Sequence, residues 1–367
     1  MTTAAERPTV LVADDSVFAR RWAERLLTDA GHVVASVSGG HEAYALARAS
    51  SPDVLIAEEA IPGLSGRELL RALRAGRHEM GVVLLTASCD PGLEADALRL
   101  GADRFLRKPC SEAALAAAVA AAQEAGASRR ARRDRETRNA GEVREAGEVQ
   151  GALLPPLPVL PGGWALGTGF LPARGAGGDV YDVVLRDPGR LVVVVGDVSG
   201  KGVGGALLAA MFQTAVRSAL GRGDGPAEAL GAAGGLLFDG LTRAGRFLTA
   251  VVVEIDLATG RITYADAGHG HHLLVEAGGG ERVLPVGGPP IGFLPDAAYA
   301  DGAEGIGPGE RLAAFSDGMV EDGGTGDPAV ARSRLCARLA AGADPGELVR
   351  AASGSDDRTL LVVGRGA

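Results

Sequence analysis

The densest run of chemically suggestive residues is LVVVVGDVSGKGVGGALLAAMF, from 191 to 212. Its first five residues are apolar and mostly β-branched, which predicts a buried strand. Asp197 follows at the strand's end. Ser199-Gly200-Lys201-Gly202 cannot continue the strand, because glycines favour turn geometry. From Ala206 onward the residues are apolar and helix-favouring. A carboxylate just past a buried strand, beside glycines that let a ligand approach the backbone, suits a metal or phosphate site. Similar acids recur: Asp179 in Gly177-Gly178-Asp179-Val180-Tyr181-Asp182, Asp317 in Phe315-Ser316-Asp317-Gly318, and Asp356-Asp357 before Arg358-Thr359. A single Asp-Gly is usually only a turn. Carboxylates at four strand boundaries point instead to a divalent-cation site. All-oxygen ligation favours Mg²⁺ or Mn²⁺ over zinc.

A second set of chemical groups lies nearer the N-terminus. Short apolar strands are predicted at 9–13, 33–37, 54–57 and 82–86, with a fifth opening at Phe105-Leu106. Helices are predicted at 17–30 and 40–50. Repeated strand-helix units imply a doubly wound parallel sheet, a (βα)5 α/β fold, with helices on both faces. Ligand sites in such sheets lie beyond the carboxyl ends of the strands. Asp14, Asp15, Glu58, Thr86 and Lys108 all fall at that edge. Acids, a hydroxyl and a lysine together suit a divalent cation plus a phosphoryl oxyanion. The plainer alternative is a set of solvated loop residues.

The elements after residue 150 differ in kind. Strands are predicted at 164–170, 180–185, 191–195, 249–255, 261–265, 272–276, 311–315 and 359–363. Helices are predicted at 205–220, 226–241 and 327–341. This pattern suggests antiparallel sheets packed with helices, an α+β architecture. Between the two regions Ser111 caps an Ala-rich helix, and Gly126 is expected to interrupt it. Residues 128–144 are arginine-rich with few apolar side chains, which reads as a solvated helical linker. Its thin apolar stripe makes a weak case for a coiled coil. Pro155, Pro156 and Pro158 end that helix. The domains expected are therefore 1–125, a linker at 126–149, and 150–367.

Composition narrows the function. The chain has 367 residues and a net charge of −9, which argues against nucleic acid as the main partner. Three scattered cysteines form no disulfide framework or zinc spacing, in keeping with a reducing cytoplasm. No apolar run reaches the roughly 18 residues of a membrane span, and no secretory signal is visible. His269, His271 and His272 resemble a zinc cluster only superficially. On a strand the first two face one way and the third the other, and no cysteine lies near. They read as structural. Lys201 reads as organising its turn, and Asp182 as a structural hydrogen-bond partner.

Two resemblances sharpen these readings. Residues 8–125 resemble the receiver domain of bacterial response regulators, through Asp14-Asp15, Pro62-Gly63, Gly66, Thr86-Ala87, Gly101-Ala102-Asp103 and Lys108-Pro109. Phe105 takes the family's aromatic switch position. The family's phosphorylated aspartate falls at Glu58. The extra methylene moves the carboxylate on the order of 1.5 Å, enough to misplace a nucleophile and push charge toward Lys108. The expectation is a receiver that is not phosphorylated and is biased toward an active-like state, with Mg²⁺ as its candidate ion.

Residues 145–364 look like the metal-dependent type 2C protein phosphatases, in the bacterial subgroup named for the sporulation phosphatase SpoIIE. The matching blocks are QGALLP at 150–155, GGDVYD, GDVSGKG, FLT at 247–249, AGH at 267–269, PIG at 290–292, SDG, and the Asp357-Arg358-Thr359 run. The resemblance implies an α-β-β-α sandwich. It also implies two Mn²⁺ or Mg²⁺ ions, with a water held by them attacking phosphorus in line. Asp197 would bridge the ions, with the Val198 carbonyl helping; Asp179 would complete one shell, and Asp317 and Asp357 the other. Arg174 is the candidate phosphate ligand, against the reading of a plain surface arginine. His269 matches a position that supports the loop. The implied substrate is a phosphoserine or phosphothreonine protein, often an anti-anti-sigma factor, with activity set by the receiver and linker through homodimerisation. A catalytically weak scaffold is the first rival. A DNA-binding regulator is the second, and no helix-turn-helix pattern supports it.

Overall fold

The computed structural model describes residues 9–90, 92–186, 189–285, 287–321 and 327–366. The chain forms two compact units, Met1–Arg138 and Asn139–Ala367.

The first unit alternates β1 (Thr9–Ala13), α1 (Val17–Asp29), β2 (Val33–Val37), α2 (Gly40–Ser50), β3 (Val54–Glu58), α3 (Gly66–Ala75), β4 (Gly81–Thr86), α4 (Gly92–Arg99) and β5 (Arg104–Arg107). Every strand pairing is parallel, in the order β2-β1-β3-β4-β5. Both faces of the sheet are covered, which is why its strands are uninterrupted apolar runs. Leu11, Leu55 and Leu84 face one core with α3, while Val10, Ile56 and Val83 face another with Leu115 and Val119. The α/β doubly wound fold expected from the sequence is the one observed.

The long helix α5 (Glu112–Leu153) begins in this unit. Ser111 caps it, its Oγ accepting from the Ala114 amide at 3.1 Å. The expected break at Gly126 does not occur. A Cβ there would lie 2.7 Å from the Gly81 nitrogen, so the missing side chain lets the helix lie against the start of β4. Ion pairs then hold the arginine-rich turns to the sheet: Arg129 to Asp103 at 2.7 Å and Arg130 to Asp53 at 2.9 Å.

The second unit contains β6 (Trp164–Leu171), β7 (Asp179–Arg186), β8 (Arg190–Val198), α6 (Val203–Arg222), α7 (Pro226–Ala244), β9 (Leu248–Asp256), β10 (Arg261–Ala267), β11 (His272–Val275), β12 (Glu281–Val283), β13 (Gly302–Gly305), β14 (Arg311–Phe315), α8 (Pro328–Ala340), α9 (Pro345–Ala351) and β15 (Arg358–Arg365). A 3-10 turn at Asp317–Met319 follows β14. Two antiparallel sheets result, β13-β10-β9-β8-β7 and β12-β11-β14-β15-β6. Side-chain alternation divides β8 between two cores. Leu191, Val193 and Val195 face Leu274 and Leu361 between the sheets; Val192 and Val194 face Phe212 and Leu237 of the helices. α8 and α9 cover the outer face of the other sheet through Leu335, Leu339 and Leu348. This is the α-β-β-α layering expected. α6 is long and apolar enough to cross a membrane by length and composition. Half of it is buried, and Phe212, Val216 and Leu220 pack into the core beneath the first sheet.

Candidate metal centre

Strand register brings the acids together. β7 and β8 pair so that Asp179 lies directly opposite Asp197. In the other sheet β14 and β15 are neighbours, with Phe315 opposite Leu360. The end of one strand therefore sits beside the start of the other, and Asp317 beside the Asp356-Asp357 doublet. The Ser316 amide donates to the Thr359 carbonyl at 3.0 Å, and the Thr359 amide to Ser316 Oγ at 2.9 Å. Thr359 Oγ1 then donates to Asp179 Oδ2 at 2.6 Å, tying the two sheets together at the site. Gly178 must be glycine, because a Cβ there would stand 2.3 Å from the Val198 carbonyl oxygen.

A cavity of about 370 Å³ opens at this end, lined among others by Asp197, Val198, Lys201, His271, Asp317 and Asp356. Asp179 lies beneath it, 1% exposed. Burial, and then the neighbouring carboxylates, push Asp179 and Asp197 well above the usual aspartate range and raise Asp317 as well. Such a cluster is short of positive charge, which suits hard cations.

The doublet divides its work. Asp357 is buried, with Oδ1 accepting from the Ala173 amide and Oδ2 from the Gly178 amide, both at 2.8 Å. It shapes the loop before β7. Asp356 is half-buried, and its carboxylate lies with those of Asp317 and Glu321 within 4.8 Å of one another. The sequence put the ligand at Asp357, which also lines the cavity; Asp356 is the member whose carboxylate lies beside that of Asp317. Glu321 and Asp356 were missed as site residues.

The surroundings buttress this arrangement. His269 Nε2 donates to the Phe315 carbonyl at 3.0 Å and Nδ1 accepts from Thr249 Oγ1 at 3.2 Å. Burial drives its pKa down to about 3, so it is neutral and structural, as expected. Asp266 accepts from the amides of Gly268, His269 and Gly270, fixing that loop. His271, like His269, lines the cavity. Asp182 is buried and pairs with Arg217, as a structural group should. Arg174 is exposed beside Ala173, near enough for its charge to act on Lys201. Gln150 of α5 reaches the same loop: its Nε2 donates to the Gly177 carbonyl at 2.9 Å and to that of Asp179 at 3.2 Å.

In the first unit Asp14, Glu58 and Thr86 are buried at the carboxyl edge of the sheet, while Asp15 is exposed. Lys108 Nζ pairs with Asp14 Oδ2 at 2.6 Å and with Glu58. Burial lowers the Lys108 pKa, but hydrogen bonds to the two acids more than offset it and the net shift is upward. Thr86 Oγ1 accepts from the Ser88 amide at 3.1 Å. Phe105 is half-buried, with the Arg107 guanidinium 5.8 Å from its ring centre.

Comparison with known proteins agrees with these geometries. Residues 187–365 match the family model described as Stage II sporulation protein E (SpoIIE), and residues 10–120 match the response regulator receiver domain. Protein IcfG of Synechocystis sp. is 27% identical over 209 residues, 48% of this chain and 32% of that protein. The phosphoserine phosphatase RsbP of Bacillus subtilis is 27% identical over 147 residues, 39% of this chain and 36% of that one. The chain thus spans about a third of the length of these curated relatives. The solved SiaA-PP2C domain of Pseudomonas aeruginosa has a TM-score of 0.50 at 21% identity, over 62% of this chain and 97% of that one, a likeness of fold.

Proposed function

We infer from its make-up, a response regulator receiver domain joined to a domain of the SpoIIE family, that the chain is a metal-dependent protein phosphatase. One observation carries this reading: aspartates from two sheets converge on one cavity and crowd there until their carboxyls resist ionisation. Asp179, Asp197, Asp317 and Asp356 would hold two Mn²⁺ or Mg²⁺ ions, with the Val198 carbonyl and Glu321 at hand. When bound, the ions would neutralise the phosphate and activate a water for in-line attack. The chain's own residues do the rest. Asp357 holds the loop that presents Asp179, and His269 holds the backbone just before Asp317. Arg174, at the exposed rim, would take a phosphate oxygen of the substrate.

The substrate in this reading is a phosphoserine or phosphothreonine on a small protein, such as an anti-anti-sigma factor. RsbP, which carries phosphoserine phosphatase in its name, supports that class. The reading further includes a cytoplasmic location, a homodimer paired through the linker, and a regulatory receiver. In that receiver Glu58 already occupies Lys108, in place of a phosphorylated aspartate and its Mg²⁺.

Hydrolysis of p-nitrophenyl phosphate with Mn²⁺ tests the site. Asp197→Asn and Asp356→Asn should each lose roughly 100-fold or more, and Asp357→Asn, acting through the loop, roughly tenfold. No turnover by the wild type, or turnover unchanged in Asp197→Asn, would favour the scaffold.

A further inference from the structure

Lys201 projects from the loop between β8 and α6, and its Nζ lies 2.9 Å from Asp356 Oδ2 and 3.0 Å from the Ser355 carbonyl oxygen. Among the described residues it is the one cationic side chain within ion-pair distance of the cavity's aspartates. The other carboxylate oxygen of Asp356 is also engaged: Oδ1 accepts from the Asp357 amide at 2.8 Å. Each oxygen keeps a lone pair for a cation, but a divalent ion at Oδ2 would stand beside the like charge of the ammonium. That repulsion is relieved when the ammonium leaves. The amide is fixed by the start of β15, whereas the ammonium sits on a flexible stem and is strongly hydrated when released. Both members of the pair are about a third exposed, so water can take the ammonium's place. The flanking glycines, Gly200 and Gly202, have positive φ values of 93° and 82°, a conformation that glycine adopts without side-chain support.

We propose that Lys201 is a displaceable counter-cation, competing with a divalent ion for Asp356 Oδ2 and so weakening the centre's hold on that ion. This rests on the metal-centre reading above and adds to it. Without an ion, the ammonium holds the Asp356 carboxylate in place. An arriving ion takes over Oδ2 and releases the ammonium into solvent. Metal loading is then an exchange of cations, and its affinity is set by the lysine as well as by the acids.

The test is Mn²⁺ binding to the full-length chain by titration calorimetry, which needs no turnover. Lys201→Met should bind Mn²⁺ roughly three- to tenfold more tightly than wild type, and Lys201→Arg, which keeps the charge, should stay near wild type. In an Asp356→Asn background, Lys201→Met should change the remaining Mn²⁺ affinity little, because the contested oxygen is gone. Unchanged or weaker Mn²⁺ binding by Lys201→Met, with the melting temperature unmoved, overturns the proposal. So does an equal gain in the Asp356→Asn background, which would mark a general field rather than competition for one oxygen. Failure of the wild type to bind Mn²⁺ would overturn the metal-centre reading itself, a separate result from equal binding by both forms.

Discussion

Asp179 and Asp197 face each other across paired strands, and among the described residues neither has a cationic side chain in ion-pair contact. The receiver pocket is the contrast, since Lys108 answers both Asp14 and Glu58. The difference has a pH consequence. Burial first, and then neighbouring carboxylates, raise the pKa from 3.8 to about 7 for Asp179 and about 8 for Asp197. A carboxyl raised in the folded state keeps a proton that the unfolded chain has already released. Its stabilising contribution is complete below about pH 4 and is lost as pH rises through the folded value. The metal-free chain should therefore lose on the order of a few kcal/mol between pH 5 and 8. Melting in EDTA should show a falling midpoint across that window. Excess Mn²⁺ should abolish the fall, because cations take the place of the protons. A flat profile in EDTA would mean that the acids do not crowd as described.

At the scale of elements, α5 shows how close packing decides the sign of a substitution. Its turns around Gly147 lie against the loop before β7, where a Cβ would meet the Gly175 carbonyl oxygen at 1.7 Å. Gly141, on the same helix, would meet nothing within 4 Å. Gly→Ala in a helix is worth about 1 kcal/mol in favour of alanine. Gly141→Ala should then raise the melting temperature slightly. Gly147→Ala cannot keep the observed packing and should be destabilising by roughly 2 kcal/mol or more, with weakened Mn²⁺ binding as the Asp179 loop shifts. Equal behaviour of the two variants would show that the helix does not dock there. The helix's existence was legible in the sequence, but its continuity through Gly126 was not. An isolated glycine looks like a breaker, and only the sheet beside it reveals a close approach. The strands and their acids were legible for a firmer reason: apolar runs covered on both faces cannot be mistaken for loops. The short edge strands β12 and β13 were not, since they bury few side chains. The choice between Asp356 and Asp357 depended on backbone amides from the loop before β7, nearly two hundred residues away in the chain, and no local pattern carries that information.

For the molecule as a whole, the question is what the first unit would contribute to the phosphatase proposed for the second. Glutamate at 58 reaches Lys108, and the lysine is then shared between two buried carboxylates. That arrangement commits two of the three Lys108 donors to the protein's own carboxylates, so an incoming phosphoryl group would have to compete for the lysine. It also keeps negative charge where a phosphorylated aspartate would bring it. The pocket should behave as permanently set. Incubation of the wild type with acetyl phosphate and Mg²⁺ should add no covalent phosphate by mass spectrometry and leave the phosphatase rate unchanged. Glu58→Asp draws the carboxylate back on the order of 1.5 Å, releases Lys108 to Asp14 alone, and should make both label and rate respond to acetyl phosphate. Glu58→Gln removes the charge without the length. If the pocket sets the output, its rate on a phosphoserine protein should differ from wild type by roughly fivefold or more, a typical coupling between sites. A rate identical to wild type would show that the phosphatase runs independently of the receiver's charge, and a stable phosphoprotein at Glu58 would show that the glutamate is a working acceptor.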